Sequence, residues 1–285
     1  MRVVVAGGTG FIGRALVARL RDAGREVAVV TRSPERAHAD VGWNEVAAAV
    51  DGAGAVVNLA GESIGGRWTR RRMERILSSR VETTSALVDA IAAARATPRV
   101  LVNSSGIDYA GDTGDAIVAE DAAPGDTFLA RVCREWEAAA ARAPVRSVMV
   151  RTPLTIGPGA TAVRLLALPF RLRLGGRLGS GRQWFPWVHL DDLVAIFVRA
   201  IERDDLAGPV NAVAPQQLRQ ASAARDLGRV LRRPAAVPTP APVLRAVLGR
   251  QADLLLHGQR AVSTKLDGDD FRYRTLRAAL EDALA

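Results

Sequence analysis

Four glycines near the start of the chain are the first residues whose spacing suggests chemistry. They lie in the stretch VVVAGGTGFIG, between an apolar β-branched run and an amphipathic segment that begins near Arg14. A glycine turn between a strand and a helix lets the backbone approach a pyrophosphate, whose charge then faces free N–H groups and the positive end of the helix dipole. The turn predicts a dinucleotide site at Gly7, Thr9, Gly10, Phe11, Ile12 and Gly13.

The end of the second predicted strand, Glu26 to Thr31, indicates which dinucleotide is bound. An acidic residue commonly follows such glycines by about 20 residues where the ribose 2′-hydroxyl is bound. Arg32 stands at that point instead and is followed by Ser33. Because a guanidinium suits a 2′-phosphate, Thr31, Arg32 and Ser33 predict NADP(H) over NAD(H). The alternative is that Arg32 is a solvated residue at a strand end.

The elements that must position these residues alternate between strands and helices. Strands are predicted at 55–59, 99–104 and 145–151, and helices at 70–77, 83–95 and 127–142. This alternation predicts an α/β fold with a doubly wound parallel sheet, whose ligands bind at the carboxyl ends of the strands. Gly61, Ser104, Ser105 and Thr152 are then expected to line one crevice, and Leu59 and Ala60 are also assigned to the cofactor site.

Beyond residue 155 the alternation becomes less regular. A glycine- and arginine-rich section precedes a predicted helix from about Asp191, its expected N-cap, to Arg203. A short strand near 210–213 follows, and small helices with an extended stretch around 271–273 are expected at the end of the chain.

Composition restricts the class of protein. The chain has 285 residues, 48% of them hydrophobic, which is enough for a sizeable core. No apolar run approaches 18 residues and no signal peptide is recognisable, so we expect a cytoplasmic protein without a membrane partner. Cys133 is the single cysteine, and the three histidines are far apart, so neither a disulfide nor a metal site is predicted.

The formal charge of +9 raises the question of a nucleic-acid partner. Arginine is spread along the whole chain, and only the stretch GRWTRRRMER is dense in it. An anionic cofactor or substrate therefore accounts for local arginines better, and no nucleic-acid partner is expected. Arg67, Arg80 and Arg182 are candidates for binding an anionic substrate, although a surface position is favoured for each.

Several motifs together identify a family. The stretches GGTGFIG, NLAG, NSSG and WFPWVHLDDLV resemble the extended branch of the short-chain dehydrogenase/reductase superfamily, which includes sugar-nucleotide epimerases and dehydratases. NLAGESIGGRWTRRRMERILSSRVETT, FLARVCREWE and VSTKLDGDDFRYRTLRAALEDAL resemble its atypical group called the epimerase family. The resemblance covers nearly the whole chain. It implies a Rossmann domain at 1–155 and a small α+β substrate lobe at 156–285, interlocked with the sheet near 185–213.

The superfamily's acid/base pair is absent. That pair is a tyrosine, which exchanges a proton with the substrate oxygen, and a lysine four residues later. Aligned on Glu137, the helix TFLARVCREWE carries Leu129 at the tyrosine position and Cys133 at the lysine position. The only tyrosines are Tyr109 and Tyr273 and the only lysine is Lys265, so no Tyr-x-x-x-Lys pair exists anywhere in the sequence.

Tyr109 and Ser105, in SSGIDYAG, are the remaining catalytic candidates. The resemblance implies that Tyr109 lies near the nicotinamide and that Ser105 is a serine that orients the substrate. A phenol without an adjacent lysine donates a proton more readily than it removes one at neutral pH, which favours carbonyl reduction by NADPH. The alternative is that Tyr109 only packs beside the cofactor. A surface-turn role is favoured for Asp108, and a packed position for Cys133.

Other candidates are less specific. His189 is expected to have a structural role. Trp184 is as compatible with stacking on a substrate ring as with a core position, and the segment 175–187 is expected to hold the substrate.

Two functions are compatible with the sequence. One is an atypical NADP(H)-dependent oxidoreductase or epimerase-like enzyme that acts on an unidentified small molecule. The other is a non-enzymatic NADP(H)-binding sensor or regulatory module. The superfamily often pairs subunits through a helix bundle, so a homodimer is compatible with the resemblance.

Overall fold

The computed structural model describes residues 1–33 and 41–285. Its centre is a seven-stranded sheet in which every neighbouring pair of strands is parallel. The strands are rich in valine because a parallel sheet covered on both faces buries both sets of side chains. The predicted doubly wound sheet is confirmed. The strands are β1 (Arg2–Ala6), β2 (Glu26–Thr31), β3 (Val41–Gly42), β4 (Ala55–Asn58), β5 (Val100–Gly106), β7 (Arg146–Thr152) and β10 (Gly208–Asn211). Their order across the sheet is β10-β7-β5-β4-β1-β2-β3.

Helices flank the sheet along the first two thirds of the chain. They are α1 (Phe11–Asp22), α2 (Val46–Val50), α3 (Arg70–Ala93), α4 (Phe128–Ala140) and α6 (Leu190–Glu202), with short 3-10 helices at Trp43–Glu45 and Ile107–Ala110.

The helix α3 corrects the prediction of two separate helices at 70–77 and 83–95. The hydroxyls of Thr83 and Thr84, at the start of the second predicted helix, donate to the carbonyls of Ser79 and Arg80 in the gap, each at 2.7 Å. These bonds run back to the carbonyl four residues earlier, which a helix accommodates. The helix therefore continues through the serine- and threonine-rich stretch.

The rest of the chain forms small paired strands and short helices. β8 (Leu154–Ile156) pairs with β9 (Trp187–His189), and β6 (Ile117–Val118) pairs with β11 (Arg260–Ala261). Because β10 joins the central sheet, the C-terminal half is interlocked with the N-terminal half. The remaining helices are α5 (Thr161–Arg171), α7 (Gln220–Val230), α8 (Ala241–Leu248), α9 (Asp253–Leu256) and α10 (Leu276–Ala283), with 3-10 helices at Gly249–Ala252 and Gly268–Asp270.

The start of α6 differs from the sequence prediction. His189, and not Asp191, is the N-cap, and its Nδ1 accepts the Asp191 N–H at 3.2 Å. The other ring nitrogen lies 3.1 Å from Asp282 Oδ2, so the buried histidine joins α6 to α10. This geometry agrees with the structural role expected for His189. None of the helices described is long and apolar enough to cross a membrane.

Candidate functional site

The glycine turn between β1 and α1 has the form of a phosphate cradle. Gly7 has a φ of 79°, and a Cβ there would lie 2.7 Å from the carbonyl carbon of Leu59. A Cβ on Gly13 would lie 2.3 Å from the Gly7 carbonyl oxygen. Both positions therefore require glycine. Gly10 is the N-cap of α1 and no side chain caps the helix, which leaves the first N–H groups free to bind an anion.

The strand order brings the other predicted cofactor residues to the same edge of the sheet. β2, β1, β4, β5 and β7 are neighbours, so their carboxyl ends lie side by side. Two backbone bonds fix the turn there, from Gly7 N to Val30 O at 3.1 Å and from Leu59 N to Ala6 O at 2.8 Å. Thr31, Arg32 and Ser33 end or follow β2; Leu59, Ala60 and Gly61 follow β4; Ser104 lies near the end of β5, and Thr152 ends β7.

Buried amides join two of these strand ends. Asn58 Nδ2 donates to Asn103 Oδ1 at 2.7 Å and to Thr84 Oγ1 at 2.9 Å. Asn58 Oδ1 also accepts the Ala60 N–H, which fixes the loop beside the glycine turn. Sequence reasoning did not assign these residues a role, although an asparagine at the end of an otherwise apolar strand was the available signal.

The helix α4 carries Leu129 and Cys133 where the superfamily has its acid/base pair. Cys133 is buried, as expected, and burial raises the pKa of its thiol to about 12. Arg80 lies close by on α3 and donates to the carbonyls of Glu62 and Ile76, both at 2.9 Å. Burial lowers the pKa of Arg80, which corrects the favoured surface position. A cation therefore remains near the missing lysine, on a different helix.

Ser105 and Tyr109 belong to a buried ionic network. The Glu137 carboxylate accepts two bonds from the Arg151 guanidinium, at 2.8 and 2.9 Å, and one from the Ser105 hydroxyl at 2.7 Å. The Tyr109 ring lies on that guanidinium, 3.7 Å from its central carbon. Because the Ser105 proton is committed to Glu137 and the residue is only 3% exposed, the hydroxyl positions the network. A direct contact of Ser105 with substrate stays a prediction.

A cavity of about 290 Å³ lies between the N-terminal half of the chain and the C-terminal helices. Asp108 contributes to its wall and is partly buried, which corrects the surface-turn interpretation. Burial raises the pKa of the Asp108 carboxyl, and a hydrogen bond with Gln259 opposes this only in part. Among the residues that line the cavity are Trp68, Asp112, Leu129, Arg250, Asp253 and His257.

The segment 175–187 does not line this cavity. Its residues Gly176, Leu178 and Phe185 line a second cavity of about 210 Å³, which is almost entirely apolar. The Trp184 ring is covered by the Arg219 guanidinium at 3.7 Å, so that face is closed to a substrate ring. No cluster of metal-ligating side chains occurs at 1–33 and 41–285. His38, one of the histidines considered for a metal site, lies outside the described residues.

Comparison with known proteins agrees with this architecture. The profile of the NAD dependent epimerase/dehydratase family matches residues 3–213, and a domain of unknown function, DUF1731, matches residues 239–283. The human epimerase family protein SDR39U1 is 40% identical over 296 residues, which span both chains completely. A chloroplastic homolog from Arabidopsis thaliana is 37% identical, covering 98% of this chain and 86% of its own.

Solved structures show the same fold. The crystal structure of the human protein with NADPH has a TM-score of 0.91 and covers 99% of this chain and 98% of that one. A nucleoside-diphosphate sugar epimerase from Corynebacterium glutamicum, 31% identical, has a TM-score of 0.81 and covers all of this chain and 58% of that one. Since the family profile spans most of the chain and full-length relatives share its sequence, the chain belongs to the NAD-dependent epimerase/dehydratase family.

Proposed function

We propose that this protein binds NADP(H) at its glycine turn and uses NADPH to reduce the carbonyl group of a small molecule. The observation that carries the proposal is the turn itself, where an uncapped helix N-terminus meets glycines that a side chain would block. Such a turn is suited to a pyrophosphate. The crystal structure of a 40% identical human relative contains NADPH, which supports the same cofactor here.

The residues around the turn have distinct roles in this proposal. The N–H groups of Phe11, Ile12 and Gly13 face the pyrophosphate, with Thr9 beside them. Arg32, which is exposed after β2, and Ser33 bind the 2′-phosphate. Thr31, Leu59, Ala60, Gly61, Ser104 and Thr152 form the walls along the strand ends.

The direction of the reaction follows from the groups at the end of β5. When bound, NADPH supplies a hydride. Carbonyl reduction then requires a proton donor, whereas oxidation of an alcohol requires a base. The usual base is the tyrosine and lysine pair, and this chain has Leu129 and Cys133 at those positions. The turn Ile107–Ala110 carries two acidic groups, Asp108 and Tyr109. Tyr109 stays in the proposal as a candidate donor, and the Glu137–Arg151 network orients its ring.

The test is binding followed by turnover. Ligand-stripped protein is titrated calorimetrically with NADPH, and the nicotinamide absorbance is then recorded with a panel of aldehydes, ketones and sugar nucleotides. Stoichiometric binding with oxidation of NADPH by a carbonyl supports the proposal. Binding without oxidation by any of them would favour the sensor or regulatory module, and no heat with NADPH or NADP⁺ would refute the cofactor site. The cytoplasmic location and the homodimer remain predictions from the sequence.

A further inference from the structure

The cavity of about 290 Å³ lies directly beside the position of the missing tyrosine. Leu129 forms part of its wall, and Asp108 approaches it from the 3-10 helix that follows β5. A carbon built on Gly106 would lie 2.9 Å from Cys133 Sγ and 3.8 Å from Asp108 Oδ2, so both groups flank the same glycine. Asp108 is therefore an acidic side chain adjacent to both members of the missing pair.

Three carboxylates line this cavity, and the surroundings of Asp108 differ from those of the other two. Asp112 and Asp253 have side chains that are 47% and 52% exposed, and each lies within 4 Å of a His257 ring nitrogen. Asp108 has no ion-pair partner among the residues that the structure describes, and its neighbour Cys133 is a neutral thiol. A desolvated carboxyl without a cation beside it retains its proton to higher pH than an exposed one.

The charged groups that face Asp108 do not reverse this conclusion. Arg250 and His257 lie in the wall of the same cavity, and Arg80 lies beyond Cys133. Gln259 hydrogen-bonds the carboxyl while its amide also donates to the Gly111 carbonyl at 2.9 Å. The carboxyl is thus held in place by a neutral partner.

We propose that Asp108 is the proton donor in this cavity, in place of the absent tyrosine. The inference rests on the proposed carbonyl reduction. A hydride supplied by NADPH, which is oxidised to NADP⁺, adds to the carbonyl carbon. The π electron pair of the C=O bond moves to the oxygen, and the Asp108 O–H bond breaks to give that oxygen its proton, which completes the alcohol. The resulting carboxylate recovers a proton from water through the open side of the cavity.

The position of Tyr109 supports this choice between the two acidic groups of the turn. Its ring lies against the Arg151 guanidinium, and it is absent from the residues that line the cavity in the part of the chain described. Asp108 faces the space in which a carbonyl fits, whereas Tyr109 packs on the ionic network beside it. Tyr109 therefore supports the turn that carries the donor.

The dimensions and charge of the cavity determine the probe. A dry engineered cavity of about 150 Å³ binds benzene, so a space of about 290 Å³ accommodates one substituted ring. A neutral aldehyde is appropriate because the carboxylates of Asp112 and Asp253 disfavour an anion. Benzaldehyde meets both conditions and is used with a wider panel of neutral carbonyls.

The experiment compares three variants with the wild type. Asp108→Asn retains the shape of the donor but not its proton, Tyr109→Phe removes the competing hydroxyl, and Asp121→Asn is the control at an exposed residue of the neighbouring loop. Calorimetry gives the NADPH affinity and the nicotinamide absorbance gives kcat. We expect Asp108→Asn to bind NADPH normally and to lose about 100-fold or more in kcat, with a smaller loss for Tyr109→Phe and little change in the control.

The pH profile adds a readout that a structural role would not change. Wild-type kcat should fall as pH rises through the pKa of Asp108, and this limb should be absent from Asp108→Asn. A kcat of Asp108→Asn within threefold of the wild type would overturn the inference while leaving the proposed function intact. A larger loss in Tyr109→Phe would also overturn it and assign the donor to Tyr109.

Failure of the proposed function gives a different pattern. If NADPH binds but no carbonyl oxidises it, protein labelled with ¹³C at the aspartate carboxyls is titrated by NMR, with Asp108→Asn providing the assignment. A resonance that titrates at the ordinary aspartate pKa of about 3.9 would then overturn the inference as well. A raised pKa would support Asp108 as the proton-holding group of this cavity.

Discussion

Replacing Glu137 by alanine should destabilise the protein strongly, because it breaks a buried ion pair. The Glu137 and Arg151 side chains are 8% and 3% exposed, and the carboxylate accepts two guanidinium bonds and the Ser105 hydroxyl. Without it, the charged guanidinium keeps one hydrogen-bond acceptor among the described residues, the Glu120 carbonyl at 3.0 Å. Removing one member of a buried pair costs about 3–5 kcal/mol. For a chain of 285 residues this corresponds to a fall in Tm of roughly 5–8 °C.

A matched control lies two residues earlier on the same helix. Glu135 pairs with Arg131, but these side chains are 37% and 60% exposed, so Glu135→Ala should cost less than about 1 kcal/mol. Both variants are compared with the wild type by urea denaturation and differential scanning calorimetry. NADPH affinity is measured in parallel and should change little, because the Glu137 carboxylate bonds to β5 and β7, whereas the glycine turn lies between β1 and α1. Equal destabilisation by the two variants would refute the reasoning from burial.

Four further outcomes follow from the site. Gly13→Ala should abolish NADPH binding in calorimetry, because its Cβ would meet the Gly7 carbonyl, whereas Gly268→Ala, with open space around it, should bind normally. Arg32→Asp should weaken NADPH binding about 10–100-fold and NADH binding much less; equal losses would contradict a role at the 2′-phosphate. Cys133 should resist iodoacetamide at pH 8 in the folded protein and react after unfolding, as followed by mass spectrometry, since its pKa is raised to about 12. Because the pKa of Asp108 is raised, the folded protein keeps the proton of this carboxyl at pH values where the unfolded chain has lost it. The contribution of Asp108 to the free energy of unfolding therefore falls as pH rises above about 4. Asp108→Asn should then raise Tm at pH 7 and leave it nearly unchanged at pH 3; the same shift at both pH values would contradict the protonation argument.

The cofactor turn could be predicted from the sequence because its requirements are local. A strand buried on both faces needs an apolar run such as Val3 to Ala6, and the backbone of the turn needs glycine where a Cβ would meet its neighbours. Both requirements can be recognised from the residue types within a stretch of about a dozen positions. Alternation of such segments along the chain was likewise sufficient to predict a doubly wound parallel sheet.

The polar interior could not be predicted in the same way. Ser105 and Glu137 are 32 positions apart and Glu137 and Arg151 are 14 apart, so their pairing depends on how α4 packs against β5 and β7. Asp108 was interpreted as a surface-turn residue, whereas the structure places it partly buried in the wall of a cavity. These surroundings depend on the fold, which brings Cys133 beside Gly106 and Gln259 to the Asp108 carboxyl.

The replacement of the usual pair and the properties of Asp108 are physically linked. With Leu129 and Cys133 in place of a phenol and an ammonium group, Asp108 shares the cavity wall with an apolar side chain and has Gly106 as a common neighbour with a neutral thiol. Desolvation raises the pKa of its carboxyl. A lysine at position 133 would place a cation beside Asp108 and favour its ionised form. Cys133→Lys alone should therefore not restore superfamily chemistry and should remove the proton on which reduction by Asp108 depends. The absence of the tyrosine and lysine is, on this argument, a condition for a carboxylic acid to act as the donor.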